Sequence, residues 1–291
     1  MACPICKSNQ YSQTLFIKDY EYNINSSEKY LNCSSCKLIF RERYIEEKDE
    51  EILYEKSEYT PVKGGIIYDF LKKINAYYEK KVIFKHIFNG KPDKKITVLD
   101  IACGKGYLLR ELKKNTNINC YGLDINATKK NRDDIKFIQS SYKNLKAIKK
   151  INADIIIINN FIEHVEDLKH IFDIINSLKK DSIFIIITPD SDSKSRIFFK
   201  NCWSGYHAPR HKMIFNISNI EQAFSKCKSI DLESHKMHDP FTNIISFINL
   251  YKELKNSFSL SIFLKLIISP IFIFTNIMNK NRIIMIMKKN K

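Results

Sequence analysis

The run Ile96-Thr97-Val98-Leu99-Asp100-Ile101-Ala102-Cys103-Gly104-Lys105-Gly106 decides how the chain folds. A β-branched segment ends in a carboxylate, two glycines follow at alternate positions, and Tyr107 to Lys113 has the spacing of a helix. That order is a buried parallel strand entering a tight turn and a crossover helix, the ligand-binding corner of a doubly wound α/β sheet. Glycine suits such a turn because the backbone must reach positive φ and let a ligand lie against it, which a Cβ would obstruct. A second short strand, Asn119 to Ile125, carries Asp124 about 24 positions beyond Asp100, where an acid can take both hydroxyls of a ribose. The loop lacks the Lys-Ser/Thr ending of a phosphate loop and the third glycine of the dinucleotide fingerprint, so its ligand need not carry a pyrophosphate.

VLDIACGKGYLL followed by YGLDIN resembles the first two binding motifs of class I S-adenosylmethionine-dependent methyltransferases. The resemblance runs from about Lys95 to the C-terminus. It implies an α/β fold with a Rossmann-like seven-stranded methyltransferase sheet and S-adenosylmethionine as methyl donor. It also implies a loop of Asp100, Ala102, Gly104 and Gly106 facing the methionine end, with Asp124 and Ile125 at the ribose. Ala102 stands where the family has glycine, which asks that position to hold ordinary φ. After a third strand, Ile135 to Ile138, the family places an acid on the adenine; Gln139-Ser140-Ser141 occupies that place, leaving Ser141 or a backbone amide for the contact.

Ala153 to Ile158 is a nearly continuous apolar run and so a central strand. Beyond it, Asn160 joins the implied cofactor set, and Glu163-His164-Val165 resembles the family's fourth motif at the mouth of the site. His164 has the unperturbed pKa of a general base for a hydroxyl. The alternative is that Glu163-His164 only walls the pocket, with transfer driven by alignment. Leu168 to Leu178 has helical spacing, Ser182 to Thr188 reads as the fifth strand, and Ser218 caps a helix through Phe224. Ser229 to Met237 and Arg282 to Lys288 follow as the last two strands, antiparallel to each other.

The loop Trp203-Ser204-Gly205-Tyr206-His207-Ala208-Pro209-Arg210-His211 concentrates functional groups. With Phe215 it resembles a Pro-Arg-His-x-x-x-Phe segment in methyltransferases of bacterial glycan and secondary-metabolite pathways, where it flanks the acceptor pocket. Trp203 and Arg210 are the implied acceptor contacts, Arg210 taking a phosphate or carboxylate, and His207 or His211 is a second candidate base. A surface loop held by its own hydrogen bonds is the plainer reading.

Ahead of this domain, Cys3-Pro4-Ile5-Cys6 and Cys33-Ser34-Ser35-Cys36 form two Cys-x-x-Cys knuckles with strand-like residues between them. Together they can present four thiolates to one tetrahedral Zn²⁺, a zinc ribbon over residues 1–45 whose closed metal is structural. Residues 46–95 are linker and N-terminal helices: Ile45 to Glu58 is compatible with a short helix, and Thr60-Pro61-Val62-Lys63-Gly64-Gly65 breaks the chain. Ile66 to Phe88 follows as a helix with apolar positions at 67, 70, 71, 74, 77, 78, 82 and 84. Residues 96–291 form the methyltransferase domain, with an apolar helical insertion at about 243–278. The remaining cysteines, Cys103, Cys120, Cys202 and Cys227, are scattered and read as small buried hydrophobes.

The formal charge of +16 favours anionic partners. No export signal opens the sequence, so a cytoplasmic protein with reduced thiols is expected. Within the insertion, Phe258 to Met278 approaches the length of a membrane span, but Lys265 and Pro270 interrupt it. It reads either as helices lidding the acceptor pocket or as an interfacial segment whose Lys252, Lys255, Lys265, Lys280 and Arg282 meet anionic lipid at the inner face of the membrane. The expected reaction is methyl transfer to a small or lipid-linked acceptor, a sugar hydroxyl in glycan biosynthesis. The rivals are an RNA methyltransferase that holds nucleic acid with its zinc ribbon, and a non-catalytic binding protein.

Overall fold

A computed structural model describes residues 1–20, 27–42, 66–88, 90, 92–127, 134–227, 230–256, 259–274 and 280–290. The expected helix at 45–58 and the chain break at 60–65 lie outside the described residues. Two sheets organise the rest. The larger has the order β10-β11-β8-β7-β4-β5-β6. Its strands are β4 (Ile96–Ile101), β5 (Ile118–Asp124), β6 (Lys136–Gln139), β7 (Ile155–Asn159), β8 (Ile183–Pro189), β10 (Ile230–His238) and β11 (Lys280–Lys289). The five from β8 to β6 are parallel, and β11 runs antiparallel between β8 and β10. This is the seven-stranded Rossmann-like sheet that the resemblance implies.

Both faces of the sheet are covered, which is why β7 and β8 read as nearly continuous apolar runs of isoleucine, with Phe184 in β8. Alternate residues divide cleanly. Val98, Ile155, Ile157, Ile185 and Ile187 face α1 (Ile66–Phe88) and α2 (Tyr107–Lys113). Leu99, Ile101, Ile156, Ile158 and Ile186 face α4 (Lys169–Asn176) and α6 (Ile217–Phe224), with α3 (Leu145–Ile151) beside them. Helix α1 has the expected bounds and packs Val82 and Phe84 on the core, but its most buried positions lie beside the expected ones. Asn75, Ala76, Glu79 and Ile83 point inward, while Phe70, Tyr77 and Tyr78 stay exposed. Helix α6 is capped by Asn216 in a reciprocal box with Asn219, rather than by Ser218, which falls inside it.

The smaller sheet has the order β1-β2-β3-β9. Strands β1 (Tyr11–Ile17), β2 (Glu28–Cys33) and β3 (Ile39–Arg41) belong to the cysteine module, and β9 (Met213–Ile214) comes from the loop after α5 (Lys194–Phe199). Ile39 pairs with Ile214 and Phe40 with Met213, so the module's sheet is finished by a distant segment. Around this joint Trp203, Tyr206 and Phe199 pack with Leu15, Ile17, Tyr30 and Ile39. The apolar insertion is two helices, α7 (Pro240–Asn256), which begins directly after β10, and α8 (Leu260–Phe274). Along α8, Leu260, Phe263, Leu264, Ile267 and Ile268 remain exposed. Arg282 does not join the basic residues beside this surface, because it is only 1% exposed and paired inside the protein.

Candidate functional site

The parallel strands end on one rim, and the order reverses between β4 and β7, where such sheets bind ligands. There the turn after β4 is spliced to β5: Ala102 and Cys103 both donate N–H to the Leu123 carbonyl, at 2.7 and 3.3 Å. Ala102 reaches this geometry at φ 56°, not at the ordinary φ its side chain suggested. The left-handed backbone costs an alanine on the order of 1 kcal/mol, which the two hydrogen bonds offset. Gly104 and Gly106 also lie at positive φ. A Cβ on Gly106 would stand 2.9 Å from the Phe137 ring, whereas one on Gly104 would meet nothing within 4 Å, so open space lies above the loop. Asp124 accepts from the Gly104 amide at 2.9 Å on Oδ2 and from Asn126 at 2.8 Å on Oδ1. Each oxygen retains a lone pair for a further donor such as a ribose hydroxyl. Ile125 is exposed beside it, and Ser141, whose hydroxyl accepts from the Lys143 amide, begins the turn after β6.

Beneath the loop Asp100 is buried, and Oδ1 has no hydrogen-bond partner among the described residues. Burial, then the charges of Glu79 and Asp124, push its pKa well above the carboxylate range. The folded chain therefore keeps a proton that the unfolded chain releases, so this residue withdraws stability as pH rises through and beyond that range. Asp100→Asn is expected to flatten the fall in melting temperature between mildly acidic and mildly alkaline buffer; an unchanged slope would refute the assignment.

A network that no local pattern announces lies beside Asp100. Arg282 donates to Glu79 Oε1 at 2.5 Å, to Asn159 Oδ1 at 2.5 Å and to Asn160 Oδ1 at 2.9 Å, and Asn159 donates to Glu79 Oε2 at 2.8 Å. Asn160 thus sits on the rim at φ 52°, held by β11. Glu79 lies off the apolar positions that the spacing marks on α1, and Arg282 precedes the apolar run of β11, so neither residue stands out singly.

Past β7, His164 ends a short 3₁₀ turn, and the loop before β9 brings His207 and His211 against it. All three predicted histidines therefore come together. Burial, then the neighbouring His207, lowers His164 to about 3, and burial also drives His211 well down. Both rings are neutral near pH 7, and His164 is a weak proton acceptor. Glu163, fully buried and bonded to Thr188 at 2.9 Å, is raised to about 7 by burial. Trp203 and Arg210 are placed differently from expectation. Trp203 is 1% exposed in the core shared with the cysteine module, and Arg210, 2% exposed, pairs with Asp19 of that module at 3.4 Å. Both side chains are buried where the loop turns inward to finish the smaller sheet, and Trp203 lines a small cleft with Asp19, Tyr20 and His207.

In that module Cys3 and Cys36 lie 3.5 Å apart and Cys6 and Cys33 3.4 Å apart, all as free cysteines. The two knuckles repeat one geometry: Lys7 and Lys37, each at φ 62°, donate N–H to the Cys3 and Cys33 carbonyls at 3.0 Å. Sulfurs on a tetrahedral zinc with bonds of about 2.3 Å stand about 3.8 Å apart, so the cluster fits that ion.

A family model described as a methyltransferase domain matches residues 72–227. No curated protein matches the sequence. Among solved structures, the Haloferax volcanii methyltransferase in complex with the Trm112 methyltransferase activator is similar at TM-score 0.52 and 13% identity, over 77% of this chain and 93% of that one. Haemonchus contortus phosphoethanolamine N-methyltransferase 2, with phosphomonomethylethanolamine and S-adenosylhomocysteine, follows at TM-score 0.50 and 16% identity, over 82% and 59%. The plantazolicin methyltransferase BpumL, with a triazolic desmethylPZN analog and S-adenosylhomocysteine, gives 0.47 and 16%, over 84% and 91%. With the model covering more than half of its residues, the chain belongs to the methyltransferase-domain family and is an S-adenosylmethionine-dependent methyltransferase.

Proposed function

We propose that the protein methylates a hydroxyl of a small or lipid-linked acceptor, a sugar hydroxyl of a glycan precursor. The observation that carries this reading is the juxtaposition of two half-sites on one rim: the Gly104–Asp124 corner for the donor, and the Glu163, His164, His207 and His211 group for the acceptor. S-adenosylmethionine, when bound, supplies a methyl group on a sulfonium. Asp124 grips the ribose, the Gly104 loop lies along the methionine end, Ser141 sits toward the adenine, and Asn160 closes the cleft from β7. The S-adenosylhomocysteine of the Haemonchus enzyme agrees with that donor.

The exposed apolar stripe of α8 supports an acceptor carried on lipid and a peripheral position at a membrane. No helix among the described residues is long and apolar enough to cross a membrane. We assign Cys3, Cys6, Cys33 and Cys36 to a structural zinc within a ribbon over residues 1–45, ahead of a linker and the methyltransferase domain.

Transfer of a labelled methyl group into separated lipid, sugar-nucleotide, polysaccharide and RNA fractions tests the acceptor. Label in a glycan or lipid-linked fraction is expected; label in RNA alone replaces this reading with an RNA methyltransferase that uses its excess of cations on phosphate. Asp124→Ala is expected to weaken donor binding on the order of 100-fold by calorimetry, since it removes charge-assisted bonds to both ribose hydroxyls. Undiminished binding would refute the donor assignment.

A further inference from the structure

Three imidazoles from two separate segments converge more closely than a base and its neighbours require. One ring nitrogen from each of His164, His207 and His211 lies within 4.8 Å of the other two. The ring centroids are 4.7, 4.9 and 6.0 Å apart, with each pair of planes close to perpendicular. Nitrogens on a tetrahedral ion with bonds of about 2.0–2.1 Å stand about 3.3 Å apart, so small side-chain rotations would close this triangle on a cation.

Two of the rings are already fixed in one tautomer. A backbone carbonyl only accepts, so Nδ1–H of His164 donates to the Arg210 carbonyl at 3.2 Å and Nδ1–H of His211 to the Gly205 carbonyl at 2.8 Å. Their Nε2 atoms then carry lone pairs, as in ligating histidines whose other nitrogen is tied to an acceptor. The Nε2 of His211 faces Oε1 of Glu163 at 3.8 Å. That oxygen is buried and has no hydrogen-bond partner among the described residues, since Thr188 takes Oε2.

We propose that His164, His207 and His211 bind one first-row divalent cation of the zinc class, with Glu163 beside it and a fourth position open. Imidazole nitrogen suits zinc, copper and nickel rather than magnesium or calcium. Three protein ligands with a vacant fourth place are the pattern of a reactive ion, in contrast to the closed thiolate cluster. Under the hydroxyl-methylating reading, an acceptor oxygen in the open place loses its proton more readily; binding of the cation does not rest on that reading.

Cobalt(II) distinguishes the two clusters, because thiolate ligation gives an intense near-ultraviolet charge-transfer band and imidazole ligation gives only visible d–d bands. Full-length protein with zinc in its thiolates is expected to take one further equivalent of cobalt, with visible bands and no charge transfer. His207→Ala weakens that equivalent by at least about 100-fold and Glu163→Gln by about 10-fold, with far-ultraviolet dichroism retained. His170→Ala, outside the triangle, leaves it unchanged. Absence of the second equivalent in folded wild-type protein, or undiminished binding in His207→Ala, overturns the site. Cobalt bound as expected without any methyl transfer sinks the proposed reaction and leaves the cation site standing.

Discussion

Glu79→Ala is expected to cost about 3–5 kcal/mol of stability, because it strands the Arg282 guanidinium in a site 1% exposed. Glu79 and Arg282 come from opposite ends of the described domain, α1 and β11, and meet at 2.5 Å beneath the rim. Neither charge has water to fall back on, and the carboxamides of Asn159 and Asn160 cannot neutralise a cation. The melting temperature should drop on the order of 10 °C. The double variant Glu79→Ala with Arg282→Met removes the orphaned charge and should recover much of that loss. A drop that the second substitution fails to relieve would mean that the damage is packing at α1 rather than charge.

Under the zinc assignment, stripping metal from the thiolate cluster is the larger perturbation. Structural zinc contributes about 10–16 kcal/mol in small four-ligand modules. Here Cys3, Cys33 and Cys36 also lie inside the core that covers one face of the main sheet. The loss should travel along named contacts: Tyr30 donates to the His211 carbonyl at 2.8 Å, Arg41 to the Pro209 carbonyl at 2.6 Å, and β3 pairs with β9. A chelator, or Cys33→Ser, is therefore expected to raise hydrogen exchange across Trp203 to Phe215 while the amides of β4, β7 and β8 stay protected. Unaltered exchange in that loop after complete metal loss would show the module to be independent of the site.

Much of the architecture was legible because parallel strands buried on both faces leave an unmistakable trace: isoleucine-rich runs at Ile155–Ile158 and Ile183–Ile187, each closed by a polar rim residue. The glycine turn and Asp124 were legible for a related reason, since few residue types tolerate that backbone and that pairing. Ala102 was misjudged because its strain is relieved by the Leu123 carbonyl, a partner more than twenty residues away that no local rule supplies. The Pro-Arg-His loop shows its concentration of functional groups in the sequence, but what Trp203 and Arg210 pack against does not show there. Their partners within the chain, Ile17 and Asp19, sit nearly two hundred positions earlier, and pairing across such a distance leaves no periodicity to read. The same holds for Glu79 and Arg282, each of which taken singly looks like an ordinary surface charge.

The two-residue strand Met213–Ile214 carries a practical consequence for anyone trimming the protein. Removing the first 42 residues would bare its backbone donors and acceptors together with Trp203 and Tyr206, turning a sealed joint into an adhesive edge. A minimal catalytic fragment cut at the apparent start of the Rossmann-like domain would thus be a poor reagent, prone to self-association. Protein engineering on this scaffold has to carry the cysteine module along as an integral part.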